Sequence, residues 1–139
     1  MTPTLIKRMT SSQQKRAHLW ARLWLFGGWL GVVVTLVVSL MPPTLGNDDT
    51  HLDKIVHLLG YALLMFWWAQ LIIERRWKLA LAVVVFGIII ELLQGFTPDR
   101  LPDPLDALAN SGGVVLGWLA ARRSPNLINR FAALFAAHR

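Results

Sequence analysis

No cysteine occurs in the 139 residues, which excludes disulfides, thiolate metal sites and a lipid anchor on a cysteine. Charge is scarce as well: 16% of the residues are Asp, Glu, Lys or Arg, where a soluble domain carries about 25%. Leu23 to Met41 holds no charged residue, and from Ile55 to Ile73 only His57 can become charged. Acids are outnumbered eight to fourteen by Lys and Arg, for a net charge of +6. Those basic residues fall in short clusters between apolar runs, not along one stripe, so nucleic acid is not an expected partner. There is neither an internal repeat nor a low-complexity stretch.

What the chain has in excess is apolar surface. It is 55% hydrophobic, with a mean hydropathy of +0.47, more than a globule of one small domain can bury. A bilayer accepts such surface, provided that every backbone polar group is satisfied within a helix of about 20 apolar residues. Four stretches fit, at about 23–41, 55–73, 77–96 and 105–121. The third contains Glu91 near its end, and the fourth is short and opens with Asp106 and Asn110. The first is longer than a signal-peptide core and is followed by no A-x-A pattern, so an uncleaved span is expected.

The connecting segments predict orientation, because Lys and Arg collect on the cytoplasmic side. Lys7, Arg8, Lys15, Arg16 and Arg22 precede the first span, Arg75, Arg76 and Lys78 join the second to the third, and Arg122, Arg123, Arg130 and Arg139 follow the fourth. The other two loops carry Lys54 and Arg100 among Asp48, Asp49, Asp53, Asp99 and Asp103. Both termini are therefore expected in the cytoplasm. Trp20, Trp24, Trp67, Trp68, Trp77 and Trp118 fall near the inner boundary as an aromatic belt would, with Trp29 as the exception.

The expected fold is an all-α integral membrane bundle of four transmembrane helices over 23–121. A basic amphipathic segment, 1–22, precedes it, with the part around Ser12 to Trp20 resting on the surface before it continues into the first span. In the tail, 122–139, Leu127, Ile128, Phe131, Leu134 and Phe135 recur opposite Asn126, Asn129 and Arg130, the pattern of an amphipathic interfacial helix.

Polar residues inside the spans are the candidates for chemistry. Asp53, His57 and Tyr61 recur at i, i+4 and i+8 and so share one helix face, with Lys54 beside it. Glu91 and Gln94 stand together in the outer part of the third span, and Asp106, Asn110, Gly113 and Gly117 share a face of the fourth. Plainer readings exist for several of these. Asp103-Pro104-Leu105-Asp106 reads as a helix start, with an N-cap, a proline at N1 and an acid in the first turn. Thr50 to Asp53 reads as a capping box, and Gly27-x-x-x-Gly31 and Gly113-x-x-x-Gly117 read as packing seams. Glu91 resists such a reading, since a charged acid at mid-span costs about 2.5–3.5 kcal/mol. Lys54, Arg100 and His57 are the expected partners.

Two blocks resemble the VanZ-like family of membrane proteins. Asp53-Lys54-x-x-His57-x-x-x-Tyr61 is similar to the family's D-K-x-x-H-F-x-x-Y block, with Leu58 at the usual phenylalanine. Glu91-x-x-Gln94, followed by Arg100-x-x-Asp103-x-x-Asp106-x-x-x-Asn110-x-x-Gly113, resembles the family's second pattern position by position, and the likeness spans roughly 41–122. The resemblance implies a multi-pass protein of the bacterial inner membrane, in the cell envelope, whose shared core is formed by these residues. The family's founder is linked to resistance to the glycopeptide teicoplanin, which the resemblance does not by itself extend to this chain.

The leading expectation is an outer-leaflet polar site that binds or modifies a lipid-linked or cell-wall intermediate, with membrane lipid as the general partner. His57, Glu91 and Asp106 are the catalytic candidates; Asp53, Lys54, Tyr61, Gln94, Arg100, Asp103 and Asn110 are the candidate substrate-binding residues, Lys54 and Arg100 for an anionic head group. No cofactor is expected. A divalent metal on His57, Glu91 and the two aspartates is a lesser alternative, because no compact ligand motif is present. Two other readings are a non-enzymatic assembly module with a structural polar network, and a small proton-coupled transporter acting as a homo-oligomer through Glu91.

Overall fold

The computed structural model describes residues 11–41, 50–97, 103–124 and 126–131, and among these every regular element is helical. Helix α1 runs Ser11–Leu40, α2 Thr50–Trp68, α3 Arg76–Gln94 and α4 Pro104–Arg123. A further helical turn covers 127–131. Each expected span falls on one helix, but the ends differ. α2 begins five residues before the apolar window, where Asp53 in the first turn suits the positive helix end. It stops at Trp68 because the amides of Gln70 and Leu71 fold back onto the carbonyls of Trp67 and Trp68 in tight turns. α1 is continuous from Ser11, so the expected surface segment and first span are one helix; no glycine or proline interrupts it before Gly27. The expected tail helix is described only to Phe131, and residues 132–139 lie outside the described residues.

His18–Leu40 and Arg76–Gln94 are long and apolar enough to cross a membrane. Their outward faces stay apolar: Phe26, Val33 and Val37 on α1 and Leu81, Ile88 and Leu92 on α3 are all exposed. Surface of this kind is unfavourable in water and is at home in hydrocarbon.

α2 and α4 make the most intimate pair. A Cβ added at Gly113 would drive into the Leu58 carbonyl oxygen, and one at Gly117 into that of Ala62. The α4 seam is therefore backbone against backbone, as the small-residue spacing predicts. On α1 the seam has another form. Gly27 and Gly28 face the indoles of Trp67 and Trp68, while Gly31 meets only the end of Leu64. Trp24 and Trp67 stack at 4.1 Å, and each indole N–H donates to the other residue's carbonyl, at 3.1 and 2.9 Å. Trp29, the expected exception, packs edge-on against Trp68 and so joins the same aromatic group.

One end of the bundle is closed by Arg76, whose guanidinium donates to the carbonyls of Ala69 and Ala121, at 3.2 and 3.0 Å. It thereby satisfies and complements the C-terminal ends of α2 and α4. The buried Gln70 side chain accepts from the Leu127 amide, and Asn126 donates to the Gln70 carbonyl, which ties the tail to this basic end. These ties run α2 and α4 parallel, with α1 and α3 opposed to them. The N-termini of α2 and α4 consequently meet at the other, acidic end.

Alanine at Gly113 or Gly117 is expected to cost about 2–3 kcal/mol, since backbone atoms cannot give way, and to lower the thermal unfolding midpoint in detergent. Gly60, where an added methyl would meet no atom within 4 Å, is the control: alanine there should be neutral or stabilising by up to about 1 kcal/mol.

Candidate functional site

The acidic end gathers polar side chains from three helices. Asp103 caps α4 in extended geometry, its carboxylate accepting from the Leu105 amide at 2.8 Å with Pro104 behind it. That helix start therefore is the capping arrangement read from the sequence, and it also aims both its acids at α2. Lys54 donates to Asp103 Oδ2 at 2.6 Å and to Asp106 Oδ1 at 2.9 Å. The other oxygen of Asp106, Oδ2, lies 4.0 Å from His57 Nε2, and Asp53 Oδ1 lies 3.8 Å from the same nitrogen. On its far side His57 Nδ1 is 3.1 Å from Asn110 Oδ1. Asn110 in turn reaches Glu91 Oε1 through its NH2 group at 3.5 Å. Glu91 Oε2 accepts from the Asp103 backbone N–H at 3.3 Å.

His57, Glu91 and Asp106 are each only 6% exposed, and Asn110 is 1% exposed. Burial of this depth obliges each polar atom to find a partner, and the chain Glu91–Asn110–His57 does so across all three helices. Seven of the residues singled out in the sequence thus form one cluster: Asp53, Lys54, His57, Glu91, Asp103, Asp106 and Asn110.

Three others stand differently. Gln94, expected to touch substrate, donates to the Ser39 carbonyl at 2.8 Å and fastens α1 to α3; its position one turn beyond Glu91 turns it toward α1. Tyr61 lies deeper, against Gly87 of α3, and its hydroxyl is the buried side-chain polar atom without a partner among the described residues. Arg100 lies outside the described residues. The expected partners of Glu91 are also corrected: its hydrogen bonds come from a backbone amide and the Asn110 amide, not from Lys54, which two aspartates hold.

Sequence reading missed Ser39, Gln70, Arg76 and Asn126, whose roles fix helix ends. The only signal was a polar residue beside an apolar run, which looks the same whether it caps a neighbour or faces water. At the basic end an apolar cavity of about 240 Å³, lined by Trp20, Leu23, Trp24, Trp67, Ile128 and Phe131, contains no titratable group.

The Asp103 and Asp106 carboxylates keep the Lys54 ammonium charged well above the usual lysine range. Lys54, and then the Leu105 amide, hold the Asp103 carboxyl below its usual range. The contribution of Asp103 to stability is present above its unfolded value of about 3.9 and is lost as pH falls through the lowered folded value; that of Lys54 is present below about 10.4 and is lost only as pH rises through the raised one. Stability from this pair should be flat from about pH 5 to 9 and should decline in acid. Lys54→Met should cost about 1–3 kcal/mol at pH 7 by leaving Asp106 unpaired at the edge of the core. Thermal unfolding in detergent across pH 3–9 would show this, and adding D103N and D106N to K54M should restore most of the loss.

Comparison with known proteins agrees with the resemblance of the two sequence blocks. No curated protein and no solved structure matches the chain. A sequence model of the VanZ/LLP1 family matches residues 4–129, which takes in all four helices and every residue of the acidic cluster. With so much of its length matched, the chain belongs to the VanZ/LLP1 family.

Proposed function

We propose that this protein crosses the bacterial inner membrane four times with both termini in the cytoplasm, and binds or modifies the polar head group of a lipid-linked or cell-wall intermediate at its acidic end, in the outer leaflet. One observation carries the reading: a buried imidazole, an amide and carboxylates from three helices meet at one end of the bundle, where the proposed topology would put a head group. Apolar residues alone would hold such a bundle together at lower cost, because desolvating ionised groups is expensive. His57 and Glu91 are the acid–base pair, linked through Asn110. Asp106 serves His57 directly, and Asp53 stands at the rim. Lys54 positions the two α4 aspartates, which leaves the anionic contact expected of it and Arg100 to Arg100. An altered susceptibility to glycopeptides would be a consequence of binding a cell-wall intermediate.

The satisfied hydrogen bonds of the cluster favour one other reading, a structural network in a non-enzymatic assembly module. A proton path is less well supported, since the interior between the two ends is filled by Met65, Val83 and Val114.

Lipids co-purifying with the wild type and with E91Q and H57N separate these readings. A polyprenyl or phospholipid species depleted roughly tenfold or more, about 1.4 kcal/mol, in variants with a wild-type unfolding midpoint supports the site. Loss of the folded protein supports the network, and an unchanged lipid profile in folded variants sinks the head-group reading. The absence of native cysteine makes topology directly measurable. A cysteine at Leu52 should react with an impermeant maleimide in spheroplasts, whereas one at Lys78 should react only after permeabilisation.

A further inference from the structure

We propose that the gap between Asp53, His57 and Asp106 binds one divalent cation of the Mn2+ or Zn2+ class, through Asp53 Oδ1, His57 Nε2 and Asp106 Oδ2. This goes beyond the head-group reading and does not require it.

The argument begins with the proton on His57. The Asn110 NH2 group turns toward Glu91 and the Asn110 carbonyl faces His57. Nδ1 must then carry hydrogen to bond that carbonyl, and in the neutral ring Nε2 presents a lone pair. This lone pair, on a side chain 5% exposed, points at two carboxylate oxygens 3.8 and 4.0 Å away. A hydrogen bond between nitrogen and oxygen would need about 2.7–3.2 Å, so a proton on Nε2 would reach neither oxygen well. A cation between them meets all three. One atom from each of the three residues lies within 4.8 Å of the others, and ligands about 2.0–2.2 Å from a tetrahedral ion stand about 3.3–3.6 Å apart, so the two oxygens need to close on the nitrogen by roughly half an ångström and on each other by at most about 1.5 Å.

The surroundings fit the same ion. Lys54 holds Asp106 by Oδ1, which leaves Oδ2 turned to His57. The Glu91–Asn110 pair supplies the outer-shell support that orients a metal-bound imidazole and raises its basicity. Asp103 and Asp106 share the Lys54 ammonium, and the Asp53 and Glu91 carboxylates stand in the same cluster. One imidazole with two carboxylates suits Mn2+ or Zn2+ and leaves coordination positions open to water or to an oxygen of a bound head group.

The test uses tag-free full-length protein in detergent, stripped with EDTA and titrated with Mn2+, the free ion being read by electron paramagnetic resonance. One Mn2+ should bind per chain and be displaced by Zn2+. Asn110→Leu, which removes no ligand atom, should weaken binding about 10–100-fold, and D53N and D106N should each weaken it further. Should D106N fail to fold, the wild-type stoichiometry and the rim variant D53N still decide. Absence of saturable binding in the wild type overturns the proposal, as does saturable binding that D53N and N110L leave unchanged. Metal binding that persists where lipid co-purification is unspecific would sink only the head-group reading.

Discussion

The close approach of α4 to α2 is the constraint on which the rest of the structure depends. Gly113 and Gly117 place the α4 backbone against the carbonyls of Leu58 and Ala62, nearer than any side chain would permit. At that distance the first turns of the two helices become neighbours. Lys54 can then span to Asp103 and Asp106, and His57 can meet Asn110 at 3.1 Å. The glycines thus act on the chemistry of the acidic end without touching it.

A second constraint is the burial of Glu91. An acid inside a span is tolerated only where its surroundings satisfy it, and here the α4 N-terminus does so through a backbone amide, with Asn110 as the other donor. Helix N-termini carry unsatisfied N–H groups and a partial positive charge, so the end of α4 suits a carboxylate whatever else the site holds. The two ends of the bundle follow opposite logic. At the acidic end, N-termini collect carboxylates; at the basic end, the Arg76 guanidinium covers C-terminal carbonyls.

Much of this was legible in the residues. Apolar runs located all four helices, the i, i+4, i+8 spacing of Asp53, His57 and Tyr61 gave a shared face, and the Gly113-x-x-x-Gly117 spacing gave the seam. Ends were less legible. The termination of α2 at Trp68 depends on turns formed with residues that a hydropathy window treats as equal. Gln94 stands one turn from Glu91 in sequence, and only the structure separates its contact with Ser39 from those of Glu91.

By itself the sequence determined where the four helices lie, though not where they end, and which polar groups are too costly to bury without a partner, since both follow from local spacing and transfer free energy. The pairing of those groups was decided by tertiary structure alone. That Lys54 serves the α4 aspartates instead of Glu91, and that Asn110 lies between His57 and Glu91, depends on helix separation and rotation. These are fixed by contacts between residues some fifty positions apart, which no one-dimensional pattern encodes.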